Sequence, residues 1–154
     1  MAKLLEEILK QKQEQQEASE FEHIAVRQEW IANCEKLMSK IAKWLQPLED
    51  KNWLEIQSED IPIREDQLGD YEVRSLRLVF LDSQILTFRP VGRFIIGTQG
   101  RVDVVSGSTL LAMLLHSGND EWEFARRKGR YGKPVKWTFN RSTLEEFLVK
   151  FLEE

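Results

Sequence analysis

The residues best suited to binding chemistry are the cations between Arg126 and Trp137, where the chain reads RRKGRYGKPVKW. Lysine and arginine bind phosphates, and neighbouring aromatic rings stack on nucleobases. Two glycines and a proline predict a hairpin tip with outward side chains. The candidate contact residues are Arg126, Arg127, Lys128, Arg130, Tyr131 and Lys133. This basic hairpin is a candidate surface for nucleic acid or an acidic protein; alternatively, its charges only keep a sheet edge soluble.

Groups suited to catalysis or metal binding are few. His23 has no His or Cys three or four residues further on, as a helical zinc site requires, and His116 is predicted to lie in a surface turn. Cys34 falls on the apolar side of a predicted helix, where burial raises the pKa of a thiol and keeps it inert. The segment Val105–Ser108 lacks the glycine pattern of a nucleophile elbow. We therefore expect no enzyme, cofactor or metal site; an enzyme whose site assembles only in the fold is the minor alternative.

The whole chain has a net charge of −4, and its acidic residues are concentrated in the first half. Those predicted to form an acidic loop are Glu59, Asp60, Glu65, Asp66 and Asp70. Their spacing is not that of a calcium-binding loop, so a solvated loop is predicted. Arg93, Arg101 and Asp103 predict an ion pair across a hairpin. The acidic half can face the basic hairpin within the chain or in another copy.

Glycine marks the change from helix to sheet, because none of the eight glycines precedes Gly69. Apolar residues before that point recur at helical intervals. The rows are Ile24, Ile31, Met38 and Leu45; Cys34, Ile41 and Leu48; and Trp30, Leu37 and Trp44. They predict an amphipathic helix over Phe21–Leu48 that ends near Pro47. We expect its wide apolar side to dock on the chain's own sheet, with a helix–helix oligomer as the alternative.

The first 18 residues predict a helical arm with an apolar tip. The tip consists of Leu4, Leu5, Ile8 and Leu9, and residues 10–17, KQKQEQQE, contain no apolar side chain. A helix with no apolar side has nothing to bury, so this polar part should project into solvent or fray. The tip then either folds back as a separate short helix or docks into a groove of a partner protein or a second copy.

From residue 52 the pattern changes to the alternation typical of strands. The candidate strands are Asn52–Gln57, Ile61–Arg64, Tyr71–Leu81, Gln84–Arg89, Arg93–Gly97, Arg101–Val105, Leu110–Leu115, Trp122–Arg127 and Val135–Asn140. Six to eight strands formed from these segments are predicted to pair as an antiparallel meander, although Leu110–Leu115 also fits a short helix. The apolar residues of Tyr71–Leu81 change parity, which predicts a bulge near Arg74–Ser75.

A second amphipathic helix closes the chain. Ser142 and Glu145 have the spacing of a capping box, and apolar residues recur from Leu144 to Leu152. In architecture alone, a curved antiparallel sheet followed by one helix resembles a pleckstrin-homology-like, partly closed barrel; an open sheet backed by two helices fits equally well. We predict an α+β protein with an arm at 1–18, an amphipathic helix at 19–50, and an antiparallel β domain with a C-terminal helix at 51–154.

These elements favour a non-enzymatic protein–protein interaction module, such as an accessory, adaptor or immunity-like regulator. It is expected to contact another protein, or itself, through the apolar tip and the basic hairpin. A nucleic-acid-binding accessory protein that uses residues 126–137 is the alternative. The single cysteine allows no intrachain disulfide, and no segment has the ~20 apolar residues of a membrane span. We therefore expect a cytoplasmic protein.

Overall fold

The computed structural model describes residues 2–81, 83–94, 98–127 and 132–154, with side chains from Leu4 onward. A long helix, α1 (Ala2–Asp50), is followed by seven strands and a second helix, α2 (Arg141–Glu153). The strands are β1 (Leu54–Glu65), β2 (Gly69–Phe80), β3 (Ile85–Gly92), β4 (Arg101–Ser106), β5 (Thr109–Gly118), β6 (Glu121–Arg127) and β7 (Pro134–Thr138). The predicted α+β class, with its antiparallel meander and C-terminal helix, is confirmed.

The strands form one antiparallel sheet in the sequential order β1 to β7. β1 and β7 are its two edges, so the sheet is open rather than closed into a barrel. Connections in such a meander alternate between two ends of the sheet. We call the end where β1 joins β2, β3 joins β4 and β5 joins β6 the arm end. β2 joins β3, β4 joins β5 and β6 joins β7 at the opposite end, which we call the hairpin end.

Both helices cover the same face of the sheet. Trp122 and Phe124 project from one face of β6 because they are two residues apart. Trp122 contacts Trp30 of α1, with ring centroids 6.0 Å apart, and Phe124 stacks on Phe147 of α2 at 5.2 Å. The hydrophobic core therefore lies between this face and the two helices.

The apolar side of α1 is buried on the chain's own sheet, as predicted. Its buried residues are Trp30, Cys34, Leu37, Met38, Ile41 and Leu45. Each large aliphatic or aromatic side chain buried in this way stabilises the fold by about 1.5–3 kcal/mol. Ile24, from the same predicted apolar row, is 48% exposed, so the docked part of the helix begins after it.

The C-terminus of α1 is set by Asn52 rather than by Pro47. The helix continues through Pro47 to Asp50. Asn52 has a positive φ of 61°, and its N–H donates to the Glu49 carbonyl while the Trp53 N–H donates to the Leu48 carbonyl. This pair of hydrogen bonds is a Schellman motif, which satisfies the last carbonyls of the helix. The predicted end at Pro47 is therefore wrong by about one turn.

The N-terminus of α2 is capped by Asn140, not by the predicted Ser142 and Glu145. The Asn140 side chain accepts a 2.9 Å hydrogen bond from the Thr143 N–H, and the Thr143 hydroxyl accepts one from the Asn140 N–H. The box is thus shifted two residues toward the N-terminus, and it uses threonine at the position where glutamate is more usual.

β1 joins two segments that were predicted as separate strands, Asn52–Gln57 and Ile61–Arg64. Pro62 lies inside it, which is possible because β1 is an edge strand and pairs only with β2. The predicted bulge at Arg74–Ser75 is wrong, since β1 and β2 pair without a register shift. Instead, the buried residues of β2 are odd-numbered near one end of the hairpin and even-numbered near the other. The twist of a long two-stranded ribbon turns both groups of side chains toward the core.

The predicted strand Arg93–Gly97 is also wrong over its described part. β3 runs through Pro90 to Gly92, and Arg93 and Phe94 are not in a strand; residues 95–97 lie outside the described residues. The ambiguous segment Leu110–Leu115 is a strand, as preferred.

The predicted acidic loop is mostly strand. Only Asp66 lies in the turn, whereas the other four acids, Glu59, Asp60, Glu65 and Asp70, are on β1 or β2. Cross-strand ion pairs join Arg74 to Asp60 at 3.0 Å and Arg64 to Asp70 at 3.5 Å. The ion pair of Arg101 and Asp103 does form, at 2.7 Å, but within β4 rather than across a hairpin.

Candidate partner-binding surfaces

The first part of α1 extends beyond the body of the protein. Every side chain from Leu4 to Ala25 is exposed, whereas Trp30 is buried. We call residues 4–25 the arm. At a rise of 1.5 Å per residue the arm is about 33 Å long. The predicted polar part therefore projects from the body as helix.

The tip of the arm is apolar and exposed. Its exposed fractions are 62% for Leu4, 60% for Leu5, 42% for Ile8 and 55% for Leu9. Leu5 and Leu9 lie about ten helical turns before Ile41 and Leu45, so the four residues share one side of the helix. The tip thus continues the side of α1 that is buried further along the chain. Because α1 is one uninterrupted helix, the alternative of a separate folded-back helix is not what the structure shows.

Contacts at the arm end of the sheet fix where the arm leaves the body. The Arg27 guanidinium donates a 3.1 Å hydrogen bond to the Leu68 carbonyl in the β1–β2 turn. The Trp30 ring lies against Gly100, where a Cβ would overlap the ring. Gly100 also has a φ of +144°, a conformation that favours glycine. These contacts hold the base of the arm on two turns of the sheet.

The basic hairpin lies at the other end of the molecule. Arg126 and Arg127 end β6, and Lys133 and Lys136 lie before and within β7; all four are exposed. Within the described ranges none of the four forms an ion pair. The other predicted contact residues, Lys128, Arg130 and Tyr131, lie outside the described residues. The described part of this end of the sheet therefore has four exposed positive charges.

The tryptophans of the two hairpin strands belong to the core, as predicted, although to different degrees. Trp122 is 5% exposed, and its ring centroid is 4.8 Å from that of His116. Trp137 is half-buried and stacks on Phe124 with a centroid distance of 5.0 Å. One face of the Trp137 ring is therefore already occupied by protein.

A groove lies between α2 and the edge strand β7, and we call it the α2–β7 groove. Its volume is about 360 Å³, and an adjoining space of about 70 Å³ continues toward Leu111 and Phe151. Val135, Trp137 and Phe147 supply its apolar surface. This groove had no signal in the sequence, because it depends on how α2 crosses the last strand.

The α2–β7 groove has charged margins. Arg126 lies on the β6 side, and Lys150 and Glu146 lie on α2. The side chains of Arg126, Glu146 and Lys150 are exposed, so their charges are available to a ligand. Val135 is 45% exposed although it lies in a strand. The groove therefore combines uncovered apolar surface with two positive charges and one negative charge, and Glu154 lines the adjoining space.

The two predicted contact regions lie at opposite ends of the molecule. The arm leaves beside the β1–β2 and β3–β4 turns, where Leu68 and Gly100 contact it. The basic hairpin connects β6 to β7 at the hairpin end. They are therefore two separate surfaces rather than halves of one.

A cluster of buried polar groups surrounds Trp30. The atoms with no hydrogen-bond partner among the described residues are Trp30 Nε1, Glu65 Oε2, Tyr71 OH and His116 Nε2. Burial, followed by the negative charge of Glu65, raises the pKa of Tyr71 well above its usual range. Burial also raises the pKa of Cys34, one helical turn along α1, which agrees with the inert thiol that was predicted.

His116 is buried, not a surface turn residue as was predicted. It is only 5% exposed, and its backbone bonds to the β3–β4 turn through the Gly100 carbonyl. Burial, and then the positive charge of Arg93, lower the pKa of His116; Asp120 and Glu29 act in the opposite direction. The missed signal was its position two residues after Leu114, which places both on the core face.

The chemistry open to the Trp30 cluster is limited by access. Trp30, Tyr71 and His116 are 1%, 8% and 5% exposed, so a substrate reaches them only if the fold opens. Among the described residues no group of His, Cys, Asp and Glu side chains is arranged to hold a metal ion. Within the same ranges, neither helix has the length and apolar composition to cross a bilayer. The exposed surfaces are the stronger candidates for function.

Comparisons with protein-family models, curated proteins and solved structures found no match to this chain.

Proposed function

We propose that the protein is a non-enzymatic interaction module that binds a partner protein through the tip of its arm. The observation that carries this proposal is the exposure of four large apolar side chains, Leu4, Leu5, Ile8 and Leu9, on a helix that extends beyond the body. Burial of each would contribute about 1.5–3 kcal/mol, so a partner groove gains several kcal/mol by covering them. An amphipathic helix laid into a groove is a common mode of protein recognition.

The polar part of the arm supports a binding role over a structural one. Residues 10–20 contain no large apolar side chain and are all exposed, so they add nothing to the core. A helix that only completed the fold would begin near Trp30, the first buried residue of α1. The longer helix holds the tip away from the body, where a second molecule can reach it.

The basic hairpin supplies a second contact in this proposal. Its exposed cations, which form no ion pair with other described residues, fit an acidic protein surface on a partner. Such rim charges mainly accelerate association and orient the partner, whereas the apolar tip supplies affinity. Cys34, a single buried thiol, suits the reducing cytoplasm that we propose as the location.

Photo-crosslinking tests the role of the tip. A photoreactive residue in place of Lys12, on the exposed arm, should give a discrete protein adduct in cells that express the chain. The adduct should be lost when Leu5→Glu and Ile8→Glu are combined, because the charges prevent burial of the tip. Phe21→Glu is the matched control, since Phe21 is 75% exposed and lies on the other side of the helix. An adduct that the tip variant still forms would refute the proposal.

Nucleic-acid binding through residues 126–137 is the second candidate, favoured by the four exposed cations in the described part of the hairpin. It predicts binding to single-stranded DNA or RNA that falls steeply as salt rises, by one order of magnitude or more between low and physiological salt. Arg126→Ala with Arg127→Ala should weaken binding and flatten the salt dependence. Fluorescence anisotropy with a labelled oligonucleotide measures both, and no binding at low salt removes this candidate.

A further inference from the structure

We propose that the partner of the arm is a second copy of this chain, whose α2–β7 groove receives the tip. The inference rests on the proposed function, because it names the partner of the same tip. It adds a specific pair of surfaces, one on each copy, and therefore a specific assembly.

The tip and the groove are complementary in charge. In sequence the tip reads LLEEIL, so Glu6 and Glu7 lie between its apolar pairs. In the groove, Arg126, Lys150 and Glu146 flank the apolar surface, which gives the groove a net charge of +1. The arm as a whole, residues 4–25, has six acidic and two basic side chains, whereas the described part of the hairpin contributes only cations. An acidic helix and a groove with net positive charge attract each other, whereas two acidic helices repel each other.

The apolar surfaces also match. The tip offers leucine and isoleucine side chains over about one and a half helical turns. The groove has an open volume of about 360 Å³ beside Val135, Trp137 and Phe147, of which Val135 is 45% exposed. That volume lies within the range of pockets that accept compact ligands. Seating the tip there covers exposed apolar surface on both partners.

The position of the two surfaces makes the contact intermolecular. The arm leaves the body at the arm end, held by Leu68 and Gly100, while Arg126 and Val135 lie toward the hairpin end. With α1 as one continuous helix, the tip cannot reach the groove of its own chain. A second copy presents the groove without any change of fold.

Pairing of two arms is less well supported by the sequence of the arm. A coiled coil requires apolar residues at heptad positions along its length, and residues 10–20 provide none that are large. Phe21, the next exposed apolar residue, lies about 160° around the helix from Leu5. Two arms side by side would cover only their tips.

Sedimentation of the purified full chain tests the assembly directly. The mass should rise with protein concentration to at least twice the 18.2 kDa of one chain. Leu5→Glu with Ile8→Glu in the tip, or Val135→Glu in the groove, should each weaken association at least about tenfold. Phe21→Glu on the arm and Val149→Glu on α2 are the controls; both residues are exposed, and Val149 does not line the groove. A chain that is monomeric at every concentration overturns the inference.

Mixing the two defective variants distinguishes groove docking from arm pairing. The groove of the tip variant and the tip of the Val135→Glu variant are both intact, so an equimolar mixture should form a one-to-one pair. Arm pairing predicts no such rescue, because one of the two tips is defective. Failure of the mixture to associate while the native chain does so would refute docking in the groove.

Charge reversal checks the register of the contact. Glu6→Lys with Glu7→Lys should weaken association, as should Arg126→Glu with Lys150→Glu; mixing these two variants should restore it.

If the chain is monomeric but the crosslinked adduct contains a different protein, the proposed function stands and this inference fails. If there is neither adduct nor assembly, both fail.

Discussion

His116 shows how a polar residue in the core makes stability depend on pH. Its ring packs on Trp122, its Nε2 has no partner among the described residues, and Arg93 lies near enough to oppose protonation. The neutral form is therefore favoured in the folded protein. Asp120 and Glu29, which favour the cation, do not outweigh burial.

Acidification should destabilise the fold through His116. The pKa of this histidine is lower in the folded state than the ordinary value of 6.5, so the unfolded chain takes up a proton first as the pH falls. The stabilising effect of the neutral ring is complete above about pH 6.5 and is lost progressively below it. Urea unfolding at a series of pH values measures this, and His116→Phe should flatten the profile in that range. An unchanged profile in the variant would contradict the argument.

Gly100 is the residue where a single methyl group should disturb the base of the arm. Gly100→Ala places a Cβ against the Trp30 ring and forces alanine to a φ of +144°. We expect a loss of about 3 kcal/mol from backbone strain and overpacking combined. Gly107→Ala is the control, because Gly107 has a positive φ of 61° but open space around it, so about 1 kcal/mol is expected. Equal losses in chemical denaturation would show that the Trp30 contact is unimportant.

Among the secondary-structure elements, the N-terminal cap of α2 is a case where residue spacing indicates one capping residue and the structure shows another. Asn140→Ala removes the hydrogen bond to the Thr143 N–H and should cost about 1 kcal/mol. Ser142→Ala should be close to neutral, because Ser142 is exposed and is not the capping residue. Thermal unfolding of both variants makes the comparison. A larger effect at Ser142 would mean that the cap is assigned to the wrong residue.

Removal of the first 18 residues tests whether α1 consists of two functional parts. A chain that begins at Ser19 should lose helical circular dichroism but keep the denaturation midpoint of the body, measured at a concentration where the full chain is monomeric. The reason is that residues 4–18 are exposed and bury no core surface. A clear fall in the midpoint would show that the arm contacts its own body.

The periodic elements could be predicted, whereas their ends could not. The apolar rows of α1 and the alternation of β2 and β6 reflect burial on one face, which any single sequence reveals. The C-terminus of α1 depends on Asn52 adopting a positive φ, and the cap of α2 depends on which of two nearby polar residues faces the helix. These are local choices between near-equivalent hydrogen bonds, so residue spacing alone did not decide them.

At the scale of the whole molecule, the number of strands decides where the contact surfaces lie. In a meander each added strand moves every later connection to the other end of the sheet. A strand at Arg93–Gly97 would have placed the basic hairpin at the arm end, beside the turns that contact α1. The described residues on each side of that segment show a single connection, so the hairpin lies opposite the arm. The tip residues were proposed as partner contacts from the sequence alone. The groove was not predicted, because it exists only in the tertiary fold.

Hydrogen–deuterium exchange of the full chain at low and high protein concentration tests whether the arm tip docks in the α2–β7 groove of a second copy. When the chain is dilute, the backbone amides of residues 4–25 should exchange rapidly, since no tertiary contact protects the arm. When it is concentrated, protection should increase at the tip and along the α2–β7 groove around Val135 and Phe147, and nowhere else to the same degree. Exchange at the tip that is equally slow when dilute, or equally fast when concentrated, would contradict a tip that docks on a second copy.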